Sequence, residues 1–110
     1  TTMTVNQLKG KHVLLVSAIG DPDSFRDLVQ KTRATIVDYL IYKDHYSYTK
    51  NDWKNIVTKK EKTGADLILT TEKDLLKLTT HVKKLSIYAL SIRFSPGEES
   101  LKKIAKEINL

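Results

Sequence analysis

The 110 residues contain no cysteine. That removes disulfide frameworks, thiolate zinc sites, iron–sulfur clusters and cysteine nucleophiles from consideration, and it fits a reducing compartment. Two prolines and four glycines are too few for a linker or a low-complexity chain. No apolar run approaches the ~20 residues that a membrane-spanning helix needs, and the opening residues do not read as a signal peptide. Arginine is scarce: Arg26, Arg33 and Arg93 stand against sixteen lysines, nineteen basic residues in all. Direct reading of base edges leans on arginine, so nucleic acid is not an expected partner.

What is present is enough apolar sequence, 40%, to bury one core. The net charge of +6 predicts attraction to nucleotide phosphates or an anionic membrane surface. Spread along the chain as they are, the lysines are equally the makings of a solvated surface. The opening Thr1-Thr2-Met3-Thr4 reads as the start of a piece taken from a longer protein.

Strands and helices alternate in the hydrophobic pattern. Residues 11–19 form a continuous apolar, β-branched run between Gly10 and Gly20, the mark of a strand buried on both faces. Asp21 then suits an N-cap and Pro22 a first helical position, with Phe25, Leu28 and Val29 on one stripe. A second strand fits 34–41. After a polar and aromatic loop, Thr49 and Asp52 predict a capped helix carrying Trp53, Ile56 and Val57 and ending at Gly64. A third strand over 66–70 runs into Thr71-Glu72-Lys73-Asp74, another cap, followed by Leu75, Leu76 and Leu78. A fourth strand is predicted over 85–94, and a last helix with Leu101, Ile104, Ala105 and Ile108 on one stripe. The pattern predicts one small Rossmann-like α/β domain over residues 1–110, a three-layer sandwich. Its four-stranded parallel sheet has order 2-1-3-4 and helices on both faces.

Ligands of such sheets bind beyond the carboxyl ends of the strands. The predicted topology brings Gly20-Asp21, Asp44-His45 and the 70–74 segment to that edge together. Asp44 and His45 are residue types suited to proton transfer near neutral pH, although sequence neighbours seldom face each other. A loop histidine is also commonly just solvated. Lys73 and the hydroxyl of Thr71 are candidates for ligand contact, while capping alone accounts for Thr71, Glu72 and Asp74. The 19–22 turn lacks both dinucleotide and P-loop glycine patterns, and Asp21 would repel an anion. His12 and His81 have no metal-ligand spacing with His45, and no metal site is expected.

Three segments in register carry a resemblance. Residues 9–25, the loop Asp44-His45-Tyr46-Ser47-Tyr48-Thr49 with Asp52, and Ala65-Asp66 through Thr70-Thr71-Glu72-Lys73-Asp74 to Leu78 are similar to the C-terminal domain of tetraacyldisaccharide 4'-kinase. The loop corresponds to its D-H-x-x-[YF] motif, and the similarity runs over residues 8–94. Ala18, Asp21 and Tyr46 depart from its commoner glycine, asparagine and histidine. The resemblance implies a lipid A biosynthesis kinase that moves the ATP γ-phosphoryl group to the 4'-hydroxyl of a tetraacylated disaccharide 1-phosphate. It implies an additional N-terminal P-loop domain holding ATP and Mg²⁺, and a peripheral location on the cytoplasmic side of a Gram-negative inner membrane. By the same resemblance His45 assists a base in that other domain, Asp44 orients the loop, and Lys73 and Thr71 lie toward the substrate. This chain alone is then expected to be inactive. The alternative is a stand-alone Rossmann-like ligand-binding or interaction module without catalysis.

Overall fold

In the computed structural model the backbone is described for residues 2–80, 87–93 and 102–108, and the side chains for 7–80 and 87–90. The elements run β1 (Thr2–Thr4), α1 (Val5–Leu8), β2 (His12–Ser17), α2 (Pro22–Gln30), β3 (Thr35–Ile41), α3 (Lys50–Thr63), β4 (Leu67–Thr71), α4 (Glu72–Leu78), β5 (Ile87–Arg93) and β6 (Lys102–Ile108). They build one sheet of order β1-β6-β5-β4-β2-β3. Its β3-β2-β4-β5 part is parallel and has the predicted order.

Both faces of β2 and β4 are buried, as their unbroken apolar runs require. Val13, Leu15, Leu67 and Leu69 pack with Leu8 of α1 and with Phe25 and Val29 of α2. Leu14, Val16 and Ile68 point the other way, against Trp53 and Ile56 of α3 and Leu75 and Leu78 of α4. Period-two alternation in two neighbouring strands thus divides the core into two layers around one sheet.

The helix boundaries follow their local chemistry. Asp21 accepts a hydrogen bond from Ser24 N, with Pro22 beginning α2. Thr49 and Asp52 cap α3 reciprocally, and Gly64 closes it in the left-handed conformation at φ +70°, which glycine adopts without steric penalty. Thr71 caps α4.

Two features were not in the sequence expectation. β1 and α1 precede the first predicted strand. The segment read as a last helix over 101–108 is instead β6, antiparallel to β5 from Ile87↔Ile108 to Arg93↔Lys102 and to β1 on its other side. The physical reason is context. An eight-residue helix is marginal by itself, whereas the exposed edge of β5 offers a full row of unpaired backbone groups that a strand satisfies. The edges of the predicted fourth strand, residues 85, 86 and 94, and His81 lie outside the described residues.

Candidate functional site at the carboxyl edge of the sheet

The loop after β3 is anchored at both ends. Tyr42 N donates to Ser17 O at 2.8 Å and His45 N to Ala18 O at 3.4 Å, tying the loop to the exit of β2. Further on, the Tyr46 hydroxyl donates to Asp52 Oδ2 at 2.7 Å, and Lys77 Nζ donates to Tyr46 O at 3.3 Å. The Tyr42 and Tyr46 rings stack with centroids 5.1 Å apart, and Tyr48 meets both edge-on. Between these anchors His45 has φ +63°, a left-handed conformation costly for a residue with a Cβ and shared here by Arg33 in the turn before β3 at φ +64°. Its side chain is 74% exposed.

The imidazole stands between two charges. Lys73 Nζ lies 3.2 Å from His45 Nδ1, and Asp44 Oδ2 lies 3.6 Å from Nε2. An ammonium only donates, so Nδ1 accepts from Lys73 and a neutral ring carries its proton on Nε2, toward Asp44. The Asp44 contact is too long for a hydrogen bond but close enough for charge to act. A Cβ placed on Gly20 would stand 3.3 Å from Asp44 Oδ2, so the glycine gives the carboxylate room beside the first turn. Asp44 and His45 from the loop after β3 and Lys73 from the first turn of α4 are thereby brought together.

Thr71 is engaged differently. Its Oγ1 accepts from Asp74 N at 3.1 Å and donates to Asp74 Oδ2 at 2.7 Å, so the cap uses its donor. Asp74 is the residue that sequence reasoning undervalued. It is fully buried, and its Oδ2 also accepts from Ala18 N at 3.0 Å, joining the start of α4 to the exit of β2. Burial, with the Asp74 carboxylate beside it, holds the Tyr48 phenol far above the ordinary tyrosine range. A capping signature locates Asp74 within its own helix but carries no signal of contacts 56 residues away in sequence.

His12 is at the opposite edge, where its backbone N–H donates to Asp66 Oδ2 at 2.8 Å. Asp21 is held below the usual carboxylate range by hydrogen bonds from the Ser24 hydroxyl and backbone, so the first turn is negative. Among the described residues no three His, Cys, Asp or Glu side chains lie together in a metal-holding group, and no phosphate-cradling glycine loop is present. No helix among the described residues is long and apolar enough to cross a membrane.

A mostly parallel α/β sandwich of this strand order is a Rossmann-like domain, a class whose ligands bind beyond the carboxyl ends of the strands. The family model for tetraacyldisaccharide-1-P 4'-kinase matches residues 1–109, and the chain belongs to that family. Its relatives include proteins named tetraacyldisaccharide 4'-kinase. That of Bdellovibrio bacteriovorus is 41% identical over 73 residues, covering 66% of this chain and 22% of the relative. That of Desulfatibacillum aliphaticivorans is 36% identical over 90 residues, covering 81% and 24%. That of Syntrophus aciditrophicus is 34% identical over 87 residues, covering 79% and 23%. The chain thus spans about a quarter of the length of these relatives. No solved structure matches it.

Proposed function

We propose that this chain is the C-terminal domain of a tetraacyldisaccharide 4'-kinase, and that His45 is its chief contribution to phosphoryl transfer. The observation that carries this reading is His45 itself, on left-handed backbone at the strand ends with Lys73 and Asp44 on either side. In the intact enzyme the 4'-hydroxyl oxygen of the acylated disaccharide 1-phosphate bonds to the γ-phosphorus of ATP. The bond from that phosphorus to the ADP oxygen breaks, and the hydroxyl proton must be taken up. His45 supports that proton removal together with a base from an N-terminal P-loop domain, which also holds ATP and Mg²⁺.

The neighbours of His45 have matching tasks. Lys73 covers the Nδ1 lone pair in the free chain. An arriving phosphate group competes for the ammonium and thereby releases Nδ1 to accept a proton. Asp44 faces Nε2 from the other side and orients the ring. Thr71 serves the acceptor indirectly, through the cap that aims α4 and Lys73. The net charge of +6 favours approach to anionic head groups on the cytoplasmic face of the inner membrane.

The test is His45→Gln in the intact kinase. The expected result is a fall in kcat of about 10²-fold or less with little change in acceptor KM, since a supporting group falls at the lower end of general-base contributions. Activity that falls only in proportion to folded protein would make His45 a structural residue and end the assignment.

A further inference from the structure

Two helices of this chain begin on the same pattern, Thr-x-x-Asp, and use it differently. At α3 the pattern closes on itself. Asp52 Oδ2 accepts from the backbone N–H of its own cap, Thr49, at 2.8 Å, as in a capping box. At α4 the Asp74 side chain is fully buried, and its Oδ2 reaches out of the helix to Ala18 N at 3.0 Å. A cap needs no such burial, and a buried carboxylate is costly unless hydrogen bonds satisfy it. What Asp74 holds is therefore informative.

The Ala18 N–H belongs to the same peptide group as Ser17 O, which accepts from Tyr42 N at 2.8 Å. One peptide thus stands between the Asp74 carboxylate and the entry of the loop after β3. Hydrogen bonds in such a chain strengthen one another. The next carbonyl, Ala18 O, accepts from His45 N. The exit of the loop meets Asp74 as well, because the Tyr48 phenol lies beside the carboxylate. From the same helix, Lys73 Nζ lies 3.2 Å from His45 Nδ1 and Lys77 Nζ donates to Tyr46 O. We propose that Asp74 is a positioning residue: it ties both ends of the 42–48 loop to α4 and so sets where the His45 imidazole stands relative to Lys73. That it thereby serves phosphoryl transfer rests on the kinase reading above. Buried as it is, Asp74 acts through His45 and not on a substrate.

Two measurements on Asp74→Ala test this. In the ¹⁵N-labelled 110-residue chain, backbone order parameters at Tyr42 and His45 should fall from the ~0.85 of rigid backbone toward ~0.6. Those at Thr35 and Asp66, whose amides are bonded at the opposite edge, should stay. Lower stability alone moves none of them, since relaxation samples the folded state. In the intact kinase, kcat should fall about tenfold with acceptor KM little changed, the scale of a misplaced catalytic group. Adding Asp74→Ala to His45→Gln should lower kcat by less than about threefold more, because effects that run through one residue do not add. Asp74→Asn, isosteric but with a single acceptor oxygen, should show both effects at smaller size. It replaces Asp74→Ala if that variant fails to fold by circular dichroism. Unchanged order parameters in a folded variant overturn the proposal, as do single losses in kcat that multiply in the double variant. If His45→Gln leaves kcat unchanged, the kinase reading falls, and the order parameters alone decide whether Asp74 holds the loop.

Discussion

Asp74 shows how much one buried carboxylate can coordinate. Its Oδ2 accepts from the Ala18 amide and the Thr71 hydroxyl, and the Tyr48 phenol lies beside it. Three segments that compose the candidate site thus meet on one side chain. Thr71→Ala removes a single cap and should cost ~1 kcal/mol. Asp74→Ala strands buried donors from other elements as well and should cost more, about 1–3 kcal/mol for each donor left without a partner. Chemical denaturation of both variants measures the difference; equal costs would confine Asp74 to its own helix. The roles of Thr49, Gly64 and Thr71 were legible in the sequence because capping is local chemistry within four residues. The long-range duty of Asp74 was not, because no periodicity encodes which strand end lies opposite a helix start.

Among the elements, the loop between β3 and α3 owes its shape to tyrosines. Burial raises the phenols of Tyr39, Tyr42 and Tyr48, and the hydrogen bond to Asp52 raises that of Tyr46. The folded chain therefore favours the neutral phenols. The stabilisation they carry is fully present below the ~10 of an unfolded tyrosine and is lost as pH rises through the higher folded values. Denaturation midpoints should accordingly fall once pH exceeds about 10, and Tyr48→Phe should flatten that fall. An unchanged slope in the variant would mean that Tyr48 does not govern alkaline unfolding. The polar and aromatic character of this loop is visible in the sequence. That Tyr42, Tyr46 and Tyr48 form one cluster depends on the turn at His45, which no hydrophobic pattern specifies. β6 makes the same point for backbone. Its sequence carries a helical stripe, yet pairing with β5 and β1 on both sides outweighs a propensity of tenths of a kcal/mol per residue.

For the whole molecule, the sheet places Asp44, His45 and Lys73 at one edge, and the sequence carries no P-loop glycine pattern. The expected outcome is that the 110-residue chain, incubated with Mg-ATP and the disaccharide acceptor, yields no phosphorylated lipid. Product above the buffer blank would show that no P-loop partner is required. The sequence by itself determined the four central strands, their parallel order and the caps of α2, α3 and α4, because apolar period and capping are short-range and β2 and β4 are buried on both faces. It also brought Asp44, His45 and Lys73 to one edge, since right-handed crossovers leave few other arrangements. Only the tertiary structure decided that 102–108 is a strand, that Lys73 covers His45 Nδ1, and that Asp74 bridges two strand ends. Those outcomes turn on which backbone edge or side chain lies across a gap of tens of residues. That is a matter of three-dimensional packing, to which local pattern is blind.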